Sequence, residues 1–142
     1  MDKVKDRIKK AFRTEMAAAG LYGALARQYG KGSPALGERF AKASEEEHMH
    51  GRLFRQLYRN LFGGEIGGER LWVTAGRLAA LFMAAVPLKA KLRSISRKEA
   101  DAVAMISRDL SASPEPALGK VLSRILPDEE SHARIYAEFF PA

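Results

Sequence analysis

Two short stretches of the sequence carry the residue types and spacing of a metal site. Glu47-His48-Met49-His50 and Glu129-Glu130-Ser131-His132 each place an imidazole three residues after a carboxylate. On a helix, residues i and i+3 project from one face, so both side chains can reach the same cation. Carboxylate and imidazole together suit iron or manganese. No softer donor competes, because the 142 residues contain no cysteine and only three histidines, His48, His50 and His132. That absence excludes a disulfide framework, a zinc ribbon, a thiol nucleophile and an iron–sulfur centre. Any metal must be held by oxygen and nitrogen.

The elements that would position such a site are helices. Three stretches rich in Gly, Pro and Ser punctuate the chain: Gly30-Lys31-Gly32-Ser33-Pro34, Gly63 to Gly68, and Ser111 to Pro116. They predict loops between four helices near 4–29, 34–62, 70–110 and 117–139. No segment alternates with the β-branched enrichment of a strand. Long helices joined by short loops favour an antiparallel four-helix bundle within one domain spanning 1–142. Pro87 and Pro127 fall inside predicted helices and should each kink or restart them, with Pro127 opening a final helix.

Periodicity then shows what faces the bundle axis. The first seam runs Ile8, Phe12, Glu15, Ala19, Tyr22, Ala26, Tyr29, and the second Leu36, Phe40, Ala43, Glu47, His50, Phe54, Leu57, Leu61. The third reads Leu81, Ala85, Leu88, Leu92, Ile95, Glu99, Ala102, Ile106, and the fourth Leu118, Leu122, Ile125, Glu129, His132, Tyr136, Phe139. Each seam turns one glutamate inward, and two of them add a histidine three residues on. Four carboxylates in an apolar core could not all stay ionised uncompensated, since desolvation and mutual repulsion both penalise the charged form. Two divalent cations would balance them. The competing pair Glu45 and His48 precedes Arg52, Arg55 and Arg59, which read as a solvated face. Glu99 has a plainer alternative, an exposed ion pair with neighbouring Arg97 or Lys98, but Asp101 falls off the seam and the third helix otherwise supplies no ligand.

The stretches Phe12-Arg13-Thr14-Glu15 with Leu21 to Ala26, then Glu47 to Phe54, then Asp128 to His132, resemble the rubrerythrin-type ferritin-like domains. The spacing most resembles the ferritin-like domain fused to vacuolar-iron-transporter-type membrane proteins. The resemblance covers nearly the whole chain. It implies an all-α ferritin-like bundle with a di-iron centre in its core, manganese being the alternative, that reacts with peroxide or dioxygen as a peroxide reductase or as a ferroxidase acting on Fe(II). Carried over by position, Glu15, Glu47, His50, Glu99, Glu129 and His132 are implied as ligands, with Glu47 and Glu129 bridging. Two departures stand out. The Cys-rich rubredoxin module of the family is missing, so an external electron donor is expected. The extra glutamate near the third-helix ligand is also missing, since Ser96 and Ala102 flank Glu99 one turn away. Tyr22 and Tyr136, one or two turns from ligand positions, are candidates for hydrogen-bonding a carboxylate or supplying an electron, against the plainer role of packed core tyrosines.

Two other readings compete. Demethoxyubiquinone hydroxylases share the ligand plan and rest on membranes. The apolar stretch from Leu71 and a net charge of +7 would suit peripheral membrane contact, although Glu99 lies among Arg97, Lys98 and Asp101 and lacks that family's Ala-Val-Glu context. A nucleic-acid-binding module would use Lys3, Lys5, Arg7, Lys9, Lys10, Arg13, Arg52, Arg55 and Arg59. It would not need a glutamate in every seam, and no stacking pattern of aromatics is interleaved with those cations. The N-terminus is charged and lacks the apolar core of a secretory signal, which points to the cytoplasm. The uncharged run Leu78 to Leu88 is far shorter than the roughly 20 residues of a spanning helix. Related bundles pair, so a homodimer is expected.

Overall fold

The computed structural model describes residues 1–142, and every regular element in it is a helix. The helices form two compact units, Met1–Met83 and Ala84–Ala142. The first contains α1 (Asp2–Tyr29), α2 (Pro34–Phe62) and α3 (Glu69–Phe82). The second contains α4 (Leu88–Ser111), α5 (Pro116–Ala133) and α6 (Ile135–Phe139).

In the first unit α1 and α2 form a helical hairpin across the short Gly30–Ser33 connection. Pro34 opens α2 at a position where a missing N–H costs nothing. The two helices bury most of the seams expected of them, Ile8, Phe12, Ala19 and Tyr22 from α1 with Leu36, Phe40, Phe54 and Leu57 from α2, while Leu25, beside the expected Ala26, is buried in its place. Burial of each of the larger side chains contributes about 1.5–3 kcal/mol. The Tyr22 and Phe40 rings meet at 6.0 Å in a tilted arrangement. The Ser44 hydroxyl donates to the Ala19 carbonyl at 2.8 Å, tying α2 to α1 midway along the hairpin. Gly63 ends α2 in the left-handed conformation, φ 69°, which a side chain would disfavour.

Helix α3 lies against α1 with almost no space between the backbones. A Cβ on Gly20 would collide with the carbonyl of Val73, and one on Gly76 with the carbonyl of Ala17. Two ion pairs hold the start of this segment to α2, Arg55 with Glu69 and Arg59 with Glu65. Arg55 also lies over the Phe12 ring at 5.1 Å. The expected solvated strip Arg52, Arg55 and Arg59 is therefore only partly one: Arg55 is half-buried and bonded.

The second unit is again a hairpin, α4 with α5, followed by the short α6 packed on α4. Glu115 caps α5 by accepting the Leu118 N–H at 2.8 Å. The single helix expected over 70–110 is two, separated at Met83–Pro87. Pro87 has no N–H to donate and disfavours helical backbone at Val86, so α3 stops at Phe82 and Pro87 caps α4. The break resets the register. Leu81 and Ala85, assigned inward, are exposed, and the third seam holds only from Leu88 onward. Pro127 behaves in the opposite way. Helix α5 runs through it, because Pro127 and Ser123, whose carbonyl loses its partner, both face solvent. The final interruption comes at Arg134 instead.

Adding a side chain between α1 and α3 should be costly. Gly76→Val should lower stability by about 1–3 kcal/mol through overpacking, seen as a lower urea midpoint. The exposed neighbour Thr74→Val should leave the midpoint nearly unchanged.

Candidate metal centre

Each unit gathers one set of the expected ligands. In the first, Glu15 comes from α1, and Glu47 and His50 come from α2. Their ligand atoms lie within 4.8 Å of one another. His50 Nδ1 stands 3.5 Å from a Glu15 carboxylate oxygen and 3.3 Å from one of Glu47. Glu47 and His50 are fully buried, and Glu15 is nearly so at 13% side-chain exposure. In the second unit α4 supplies Glu99, and α5 supplies Glu129 and His132, again with ligand atoms within 4.8 Å. Glu129 and His132 are buried and Glu99 half-buried.

The geometry follows from helix periodicity. In both units a glutamate on the first helix of a hairpin meets a Glu-x-x-His on the second, whose i and i+3 side chains share a face. The spacing of donor atoms suits a first-row cation. With bonds near ~2.1 Å, neighbouring ligand atoms at right angles lie about 3 Å apart, close to the separations around His50. Two carboxylate oxygens and an imidazole nitrogen converging at that distance in a buried place form a hard donor set of the kind that takes iron or manganese. The rejected alternative falls elsewhere: Glu45 is exposed and His48 half-buried.

The two tyrosines occupy different surroundings. Tyr22 is fully buried in the α1–α2 core. Tyr136 is half-buried on α6, its backbone N–H donating to Ser96 Oγ at 3.1 Å. Its hydroxyl accepts from Arg93 at 3.0 Å, and the Arg93 guanidinium also stands 5.3 Å from the ring centre. The hydrogen bond from Arg93, with the nearby charges of Arg93 and Lys89, draws the Tyr136 phenol below its ordinary value of 10.0.

One buried charge escaped sequence reasoning. Lys91 is fully buried on α4, directly beside the seam residue Leu92. Read from sequence it only interrupts an apolar stretch, because a position one residue off the seam is expected to reach solvent. The basic N-terminal face also differs from expectation. Lys5 lies over Phe62, Lys9 over Tyr58 and Arg13 over Trp72, at 5.7, 5.6 and 5.7 Å. Aromatics are thus interleaved with these cations after all, but the protein's own lysines and arginines cover the rings that a nucleic acid would need for stacking.

A family model, Rubrerythrin, matches residues 6–140. The chain belongs to the rubrerythrin family, whose members are non-haem di-iron proteins of peroxide, oxygen and iron handling, and its fold class is that of the ferritin-like helical bundles. No curated protein and no solved structure matches the chain significantly.

Two measurements probe these surroundings. In an alkaline ultraviolet titration, one of the four tyrosines should ionise early, and Arg93→Met should return it to the ordinary range. Because the folded state favours this phenolate, the pair adds stability fully present above pH 10.0 and lost as pH falls through the lowered value. For the carboxylates, Fe(II) or Mn(II) at about 100 times its dissociation constant should stabilise the protein by about 2.7 kcal/mol for each site filled. Glu47→Gln with Glu129→Gln should abolish that gain while leaving the metal-free protein folded.

Proposed function

We propose that residues 1–142 act as one rubrerythrin-type domain whose Glu15, Glu47, His50, Glu99, Glu129 and His132 ligate a pair of iron ions. The domain is then a di-iron oxidoreductase of peroxidase or ferroxidase type. The observation that carries this reading is the repeated triad, a buried Glu-x-x-His with a facing glutamate in each hairpin, in a chain of the rubrerythrin family. Four glutamates and two neutral imidazoles balance the charge of two divalent cations, which offsets the desolvation cost that the seams impose.

When bound, two ferrous ions supply two electrons together, so that peroxide with two protons is reduced to two waters, or dioxygen is reduced with Fe(II) as the substrate oxidised. The chain's own contribution is to bind and to exclude. Buried Glu47, His50, Glu129 and His132 fix the donor atoms. Buried side chains along the same helices, Phe54 of α2 with Leu122 and Ile125 of α5, keep bulk water away, as does Phe12 one turn from Glu15 on α1. The reducing equivalents for a peroxide reductase would come from an electron donor outside these residues. We expect the functional form to be a cytoplasmic homodimer.

Anaerobic titration of the apoprotein with Fe(II) should give about two metals per chain, and fewer would overturn the di-iron reading. Mixing the loaded protein with peroxide or with air-saturated buffer in a stopped-flow instrument separates the two types. Faster oxidation by peroxide identifies a peroxide reductase. Faster oxidation by dioxygen, with continued turnover of added Fe(II), identifies a ferroxidase.

A further inference from the structure

No helix here is long and apolar enough to cross a membrane, yet α3 turns a row of large apolar side chains to solvent. Its buried stripe is Val73, Gly76 and Ala80, seated on α1. The opposite face repeats with the same helical spacing as Leu71, Ala75, Leu78 and Phe82, with Leu81 beside it. Leu71 is 66% exposed, Leu78 47%, Leu81 62% and Phe82 84%. Four large apolar side chains on a single fourteen-residue helix make a continuous ridge rather than the scattered exposure of an ordinary surface.

The charges beside the ridge indicate what it meets. Arg70 and Arg77, seven residues apart, line one edge, and both are exposed. At the other edge Trp72 is half-buried with Arg13 of α1 over its ring. The only carboxylate on α3 is Glu69, at its first residue, and Arg55 pairs with it. The ridge is therefore flanked by cations on both sides with no free acid among them. A second copy is a poor match: antiparallel pairing of two α3 ridges would set the arginine edges against each other, and parallel pairing would offer neither arginine a carboxylate. An anionic lipid surface matches both features. It takes the apolar ridge into the boundary between headgroups and acyl chains, and it pairs the flanking arginines with lipid phosphates. Arginine stems can lie along the ridge while their guanidinium groups reach the headgroups.

We propose that α3 is a membrane-docking helix, resting on anionic lipid through Leu71, Leu78, Leu81 and Phe82 and held there by Arg70 and Arg77. The contact is peripheral, and it does not depend on the metal ligands, so it stands or falls separately from the di-iron reading.

Flotation with phosphatidylcholine/phosphatidylglycerol vesicles, against phosphatidylcholine alone, tests it on the whole chain with or without metal. The wild-type protein should float with the anionic vesicles. Emission from Trp72, the single tryptophan, should shift to the blue and be quenched by brominated acyl chains. Leu78→Glu with Phe82→Glu should weaken binding about tenfold or more, and Arg70→Gln with Arg77→Gln should weaken it several-fold and blunt its salt dependence. All four side chains are exposed, and unchanged circular dichroism verifies each fold. Lys3→Gln with Lys5→Gln removes the same charge elsewhere and should leave the Trp72 shift intact. The proposal is overturned if the wild type does not float. It is equally overturned if Leu78→Glu with Phe82→Glu floats undiminished, or if the ridge variants only dissociate a dimer in analytical ultracentrifugation.

Discussion

Burying a carboxylate in a helical core is costly, and in this protein that cost is incurred in both hairpins. Removing an ionised carboxylate from water carries an effective penalty of several kcal/mol even after relaxation. Glu47 and Glu129 are nonetheless buried among aliphatic and aromatic side chains, each with a histidine one helical turn away. Such a core is stable as an apolar core only if something compensates its acids. The two hairpins share one arrangement: a glutamate on the first helix and a Glu-x-x-His on the second. Loop lengths, caps and the aromatic packing of Tyr22 with Phe40 serve that arrangement by fixing helix register, and a shift of one residue would swing a ligand about 100° around its helix.

Positive charge is arranged by a different rule. The excess of Lys and Arg does not form an open field for polyanions along α1. Lys5, Lys9, Arg13 and Arg55 lie over the rings of Phe62, Tyr58, Trp72 and Phe12, where their stems cover aromatic surface and their charges meet the ring faces. Arg55 and Arg59 also pair with glutamates at the entry to α3. The same helix, held to α1 by a backbone contact that tolerates only glycine, leaves its other face apolar. The tightness on one side and the exposure on the other have one origin. With Gly20 and Gly76 at the contact, α3 sits too close to α1 for a thick layer of side chains between them, so its larger residues lie on the outer face.

Much of this was legible in the residues alone. The loops at Gly30–Pro34, Gly63–Gly68 and Ser111–Pro116, the seams of α1, α2 and α5, and the placement of the two Glu-x-x-His pairs on buried faces follow from period and punctuation. Those are local properties that each helix expresses before it meets its neighbours. The third seam was traced correctly only beyond Pro87. An apolar run reads the same whether it faces a core or solvent, so Leu81 and Ala85 were assigned inward when the helix break sends them outward. Pro127 shows the converse: a proline within a pattern predicts an interruption, but exposure of Ser123 and Pro127 lets water donate to the carbonyl that the helix leaves unpaired.

By itself the sequence determined the helices, the donor types and the spacing that sets each histidine one turn from a glutamate, because these depend on covalent order and a 3.6-residue period. Tertiary structure decided how close the seam glutamates come to those pairs: Glu15 and Glu99 sit beside buried partners because the hairpins bring distant segments together. It also decided that Lys91 is buried, that Arg93 claims the Tyr136 hydroxyl, and that α3 turns leucine and phenylalanine outward. Each of those depends on what another helix places opposite, and no local pattern in the chain encodes that.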